Sequence, residues 1–228
     1  MKVVGELVSW IFTIIIFIFF LSSIGNGIMF LVQRPMIDPI DTGKAVNGIY
    51  AIKDDYSNMF LIEAADGKYI AIDAGRSSFG TKKGLKALDI QNEDVVAVFL
   101  TQSKIHHMAG LKQFQNAAVY ANENAVYHKV KNKMYDGEVI EIAGVTIECI
   151  FTSGHVYDSV CYLVDNKYLF AGDTISLKGD KVNHFFKAYN GSKKKQAVEI
   201  QKLAALDGVE YIMTAHFGFT DRPEFPLK

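Results

Sequence analysis

Apolar residues open this chain in one long block and then return only in short runs. From Leu7 to Ile24, LVSWIFTIIIFIFFLSSI carries no charge, which is enough for a helix to cross a bilayer core. GNGIMFLV extends the block until Gln33-Arg34-Pro35 closes it. A cleaved signal would have a shorter apolar core, and no A-x-A-like site follows Phe20. Residues 1–34 therefore read as an uncleaved, single-pass membrane anchor. Lys2 and Glu6 on one side and Arg34 on the other nearly balance the positive-inside rule. A short amino-terminal tail favours an extracytoplasmic domain. Residues 35–45, with MIDPIDTGKA, have the turn chemistry of a linker.

From residue 46 onward the pattern is one of short strands. Val46 to Ile52, Met59 to Ala64 and Tyr69 to Ile72 are β-type runs, and Asp66-Gly67 is a hairpin signal between the last two. Further strands are expected at Val95 to Leu100, Thr146 to Phe151, Val160 to Val164, Tyr168 to Ala171 and Val209 to Met213. Helical composition marks Lys82 to Leu88, Ala109 to Gln115, Glu123 to Val130 and the amphipathic stretch Lys193 to Leu206. Strands in hairpins followed by mixed strands and helices predict an α/β domain over residues 46–228, with two layers of sheet covered by helices.

Composition changes this picture little. The 228 residues suffice for one domain with a real core. Lys+Arg 24 against Asp+Glu 25 leaves a net charge of -1, which argues against a nucleic-acid surface. Lys193-Lys194-Lys195 reads as a solvated helix face. The two cysteines, Cys149 and Cys161, lie in apolar runs and read as buried thiols, with no disulfide framework and no CxxC zinc site.

The histidines carry the chemistry. His106 and His107 follow VVAVFLT, His155 follows IECIFTSG, and His216 follows YIMTA. Asp173 follows KYLFAG in the same way. Each sits in a loop just past a strand-like run, where sites gather at one edge of a sheet structure. Imidazole and carboxylate converging from separate loops are the donors zinc takes in a hydrolytic site. His128 and His184 follow no such pattern and read as surface residues, although NHFFKAY (residues 183–189) is expected to form a loop near the site.

Thr101 to Gly110, TQSKIHHMAG, resembles the T-H-x-H-x-D-H-x-x-G signature of the metallo-β-lactamase fold, a superfamily of metal-dependent hydrolases. Gly154-His155 with Ser159 resembles its G-H-x-x-x-S loop, and Gly172-Asp173-Thr174 its G-D-T turn. AIDAG, with Asp73 and Gly75, together with Asn58 and His216, extends the resemblance over roughly Val46 to Gly218. It implies a four-layer αββα sandwich with two metals bridged by Asp173.

The pattern breaks at the first of these metals. Its ligands would be Gln102, Lys104 and His155, and a lysine must lose its proton to bind a dication. The resemblance therefore implies a single metal, zinc or alternatively iron or manganese, held by His106, His107, Asp173 and His216. His106 stands where the family has aspartate. Asp173, Lys104 and His155 are the candidate catalytic residues: Asp173 to orient or deprotonate water, Lys104 to supply positive charge in place of the lost metal, and His155 as acid or substrate contact. The implied reaction is hydrolysis of a small ester, thioester, lactone, amide or phosphodiester. The alternative is a catalytically inactive, membrane-tethered binding module.

Overall fold

A computed structural model describes residues 10–17, 20, 21, 25, 32–127, 130–186 and 190–226. The chain forms two compact units, Met1–Ile37 and Asp38–Lys228. In the first unit, residues 10–17 are helical, and Arg34–Met36 is a single 3-10 turn with Pro35 near its start. The expected membrane anchor lies largely outside the described residues. Among the described residues, no helix is long and apolar enough to cross a membrane.

The second unit is a mixed α/β sandwich. One sheet has seven strands in sequence order: β1 (Gly43–Val46), β2 (Ile49–Asp54), β3 (Ser57–Glu63), β4 (Tyr69–Ile72), β5 (Val95–Leu100), β6 (Ala118–Asn122) and β7 (Asn132–Met134). Its first three pairings are antiparallel and its last three parallel. The other sheet contains β8 (Val139–Ile142), β9 (Val145–Phe151), β10 (Val160–Val164), β11 (Tyr168–Phe170), β14 (Tyr211–Met213) and β15 (Phe219–Thr220), in the order β15-β14-β11-β10-β9-β8. A separate hairpin joins β12 (Ile175–Lys178) to β13 (Lys181–His184).

Alternation of side chains along each strand divides the apolar residues among three clusters. Ile49, Phe60, Ile72 and Phe99 of the first sheet meet Ile147, Tyr162, Phe170 and Met213 of the second. The opposite face of the first sheet, with Met59, Leu61 and Val98, packs on Leu85 of helix α1 (Ser78–Ala87) and on Leu111 and Phe114. The opposite face of the second, with Ile150, Leu163 and Leu169, packs on Ile200 and Leu203 of helix α3 (Lys193–Ala204). Central strands covered on both faces need apolar residues at every position, which is why VVAVFL and VCYLV show no alternation. Cys149 faces the inner cluster and Cys161 an outer one. They occupy adjacent strands but opposite faces, and both are free.

Three expectations need correction. Residues 123–127 are not helical. Asn122 Oδ1 accepts from Asn124 N at 2.8 Å, and Ala125 N donates to Asn122 O at 2.8 Å, a side-chain turn that competes with helix initiation. The apolar run Val46 to Ile52 is broken by a turn at Asn47-Gly48, where Gly48 has φ +72°. Strand β1 begins at Gly43, inside the expected linker. Asn58 fixes that segment: its side chain accepts from Ile40 N at 3.0 Å and donates to Ile40 O at 2.8 Å.

Gly110 brings the histidine segment, helix α2 (Ile105–Met108) and the 3-10 turn after it, against the end of β4. A Cβ there would overlap Ala74 O and Thr81 Oγ1. Gly110→Ala is expected to lower stability by about 1–3 kcal/mol, as overpacking does, measured by urea denaturation.

Candidate metal centre

The site lies where loops leave the carboxyl ends of strands. Sheet pairings make β4 parallel to β5, and β9, β11 and β14 parallel to one another. Asp73 follows β4, the 101–108 segment follows β5, His155 follows β9, Asp173 follows β11 and His216 follows β14. Two cross-links close the two sheets at this end: Tyr162 Oη donates to Leu100 O at 2.9 Å, and Val160 N donates to Thr101 O at 2.9 Å.

Asp173 is buried at the centre. Its Oδ2 lies 3.4 Å from His106 Nε2, 3.4 Å from His107 Nε2 and 3.3 Å from His155 Nε2. Gln102 Nε2 donates to the same oxygen at 2.6 Å and lies 2.5 Å from His107 Nε2. His216 Nε2 is 3.1 Å from Asp173 Oδ1, but the pair lacks hydrogen-bond geometry, and Oδ1 is buried with no hydrogen-bond partner. Gly172 adopts φ +51° here, and a Cβ would stand 2.7 Å from Thr101 Oγ1, so the turn presenting Asp173 requires glycine.

Outer groups aim the imidazoles. His107 Nδ1 bonds Asp73 Oδ2 at 2.6 Å, and Asp73 is itself held by Thr101 N at 2.8 Å. His216 Nδ1 donates to Tyr56 O at 2.7 Å and its ring stacks on Tyr56 at 5.7 Å. In both residues Nε2 is thereby turned towards Asp173, the arrangement that orients ligating histidines. Donor atoms of His106, His107, Asp173 and His216 all lie within 4.8 Å of one another. Three nitrogens and a buried oxygen without a hydrogen-bond partner fit a divalent transition ion.

Lys104 and His155 form a second pair, with Nζ 3.0 Å from Nε2. His155 is outside the four-donor set, and its Nδ1 bonds Asn190 Oδ1 at 2.9 Å. Ser103 N donates to Asp158 Oδ2 at 2.9 Å, which fixes the loop carrying Lys104. Phe185 packs its ring 4.9 Å from that of His155 and 5.8 Å from that of His216. Phe217 joins the outer cluster beside Phe185. His184 is half-buried on β13 and not a free surface residue, while His128 lies outside the described residues. Phe185 belongs to the segment expected near the site; the sequence pattern did not mark Tyr56, Asn190 or Gln196, because none belongs to a motif.

No protein-family model matches the chain. Solved structures do. A metallo-β-lactamase from Pontibacter korlensis superposes with a TM-score of 0.66 at 17% identity, over 80% of this chain and 93% of that one. A Cronobacter sakazakii metallo-β-lactamase described by its HARLDQ motif gives 0.62 at 19%, over 82% and 81%. A metallo-β-lactamase family protein from Thermus thermophilus gives 0.61 at 19%, over 78% and 76%. The chain has the metallo-β-lactamase fold, with a His/Asp cluster able to take a metal at its site.

Electrostatics favour a proton on His107 and disfavour one on His106. Burial opposes a charge on His107, but the carboxylates of Asp73 and Asp173 outweigh it and raise its pKa to about 10. Burial likewise opposes the charge on Asp173, and His216 and His107 overcome it, holding the carboxyl well below its usual range. For His106, burial and the neighbouring His107 lower the pKa to about 4. A raised histidine pKa stabilises the fold fully below the unfolded value of about 6.5 and ceases to do so as pH rises through the folded value. In the presence of chelator, the urea midpoint is expected to fall as pH rises from about 6.5 towards about 10. Asp73→Asn is expected to flatten that alkaline decline.

Proposed function

We propose that this protein is a metal-dependent hydrolase with one zinc ion held by His106, His107, Asp173 and His216. The convergence of these four donors within 4.8 Å carries the reading. When bound, such an ion acidifies water and polarises the bond to be cleaved. The remaining work falls to the protein. Asp173 would hold the ion through Oδ1, the oxygen without a hydrogen-bond partner, and its carboxylate would orient the attacking water. Lys104, half-buried and bonded to His155, supplies a fixed cation for charge developing on a substrate oxygen. Burial lowers its pKa, while Asp173 and Asp158 act in the opposite direction. The HARLDQ motif of the Cronobacter protein likewise has a cationic residue third, where QSKIHH has Lys104. Phe185 and Tyr56 wall the site with apolar surface. The substrate class is a small ester, thioester, lactone, amide or phosphodiester.

Elemental analysis of the full chain, purified in detergent without chelator, tests this. About one zinc per chain is expected, lost in a His107→Ala, His216→Ala variant. Lys104→Ala is expected to keep the zinc and to lower kcat about 10²-fold or more, the scale of a lost oxyanion donor. Absence of metal after incubation with excess zinc would make the chain a silent scaffold and a binding module.

A membrane anchor at residues 1–34 belongs to the same proposal, supported by the uncharged run Leu7 to Ile24. The full chain is expected in the membrane fraction, released by detergent but not by high salt. Release by salt alone would remove the anchor from the proposal.

A further inference from the structure

We infer that Asn190 and Gln196 are positioning residues that fix the tautomer of His155 and thereby present its Nε2 lone pair to the Lys104 ammonium. This rests on the role proposed for Lys104, though its direct readout does not require turnover.

Two backbone carbonyls, which can only accept hydrogen bonds, set the orientation of both amides. Gln196, fully buried in the first turn of α3, donates from Nε2 to Thr174 O at 3.0 Å. Its amide nitrogen is assigned by that contact, and Oε1 must face the other way. Asn190 donates from Nδ2 to Phe185 O at 2.9 Å and to Gln196 Oε1 at 2.7 Å. Asn190 Oδ1 is left facing His155 Nδ1 at 2.9 Å, and also receives Gln196 Nε2 at 3.2 Å. An amide oxygen only accepts, so His155 Nδ1 carries the hydrogen. Neutral imidazole then has a lone pair at Nε2, and this faces Lys104 Nζ, which only donates, at 3.0 Å. Every donor in the chain meets an acceptor.

The opposite tautomer would break the chain at both ends. It would set a lone pair against Asn190 Oδ1 and an N–H against the Lys104 ammonium. That N–H would find Asp173 Oδ2, 3.3 Å away. The two amides thus decide whether His155 Nε2 offers a lone pair to the Lys104 ammonium or an N–H to Asp173 Oδ2.

Backbone contacts keep the His155 loop in place for this. Gly191 N donates to His155 O at 2.8 Å, and Ser192 N to Gly154 O at 2.9 Å. Glu199 Oε2 accepts from Gly154 N at 2.8 Å. A Cβ on Gly154 would stand 2.5 Å from Gln196 N, so the loop approaches α3 this closely only with glycine.

The test is a long-range proton–nitrogen correlation spectrum of histidine-labelled full chain in detergent. Wild-type His155 is expected to show Nδ1–H with unprotonated Nε2. An Nε2–H tautomer or an imidazolium overturns the inference without recourse to any variant. Asn190→Leu is expected to move His155 to Nε2–H, and Lys104→Met to shift its Nε2 signal towards that of an unbonded nitrogen. In kinetics, Asn190→Leu is expected to cause no further loss of kcat in a Lys104→Ala background. Additive losses would overturn the coupling. An inactive chain with the Nδ1–H tautomer would refute the hydrolase but not the positioning, and zinc-dependent turnover with Nε2–H would do the reverse.

Discussion

A carboxylate buried between two sheets sets the terms for this domain. Asp173 is almost fully enclosed, and withdrawing such a charge from water costs several kcal/mol unless partners are supplied. Four imidazoles and an amide surround it, contributed by loops far apart in sequence. The positive and N–H-bearing character of the site is thus a requirement of folding as well as of chemistry. Removing either the carboxylate or its partners leaves the other uncompensated.

The sandwich delivers those partners because central strands such as β5 and β10 are apolar on both faces. The polar side chains of the site stand just past the strand ends, and parallel strands place their carboxyl ends together. His107, held by Asp73 and Thr101, comes from the first sheet. Asp173, His155 and His216 come from the second. The site is the polar end of the inter-sheet seam, closed by Tyr162 Oη on Leu100 O. Packing of Phe99 against Tyr162, with ring centroids 5.2 Å apart, therefore bears on the registration of ligands from the two sheets.

This division explains what could be read from the sequence. Uninterrupted runs such as VVAVFL announce buried strands, and a histidine just beyond one is legible as a strand-end residue. His106, His107, His155, Asp173 and His216 were found in that way. Asp73 was visible as the end of AIDAG, but its hold on His107 depends on a contact across 34 positions. Asn190 and Gln196 have no periodicity or motif to mark them. Their roles arise only when α3 is laid against the His155 loop. The helix expected at Glu123 to Val130 failed for a local reason, the Asn122 side-chain turn, which composition does not reveal.

The residues QSKIHH can be understood through charge. Asp73 and Asp173 bring two negative charges to the bonded cluster, and Lys104 brings one positive charge. With neutral imidazoles the balance is -1. A proton on His107 cancels it, which agrees with the raised pKa of that ring. A divalent ion that displaced this proton would leave +1, and would bind less well at low pH because the proton competes. A second divalent ion in place of the Lys104 ammonium would leave a larger excess of positive charge. Lysine at this position is therefore consistent with one metal, and with a site that ends positive enough to attract a developing oxyanion.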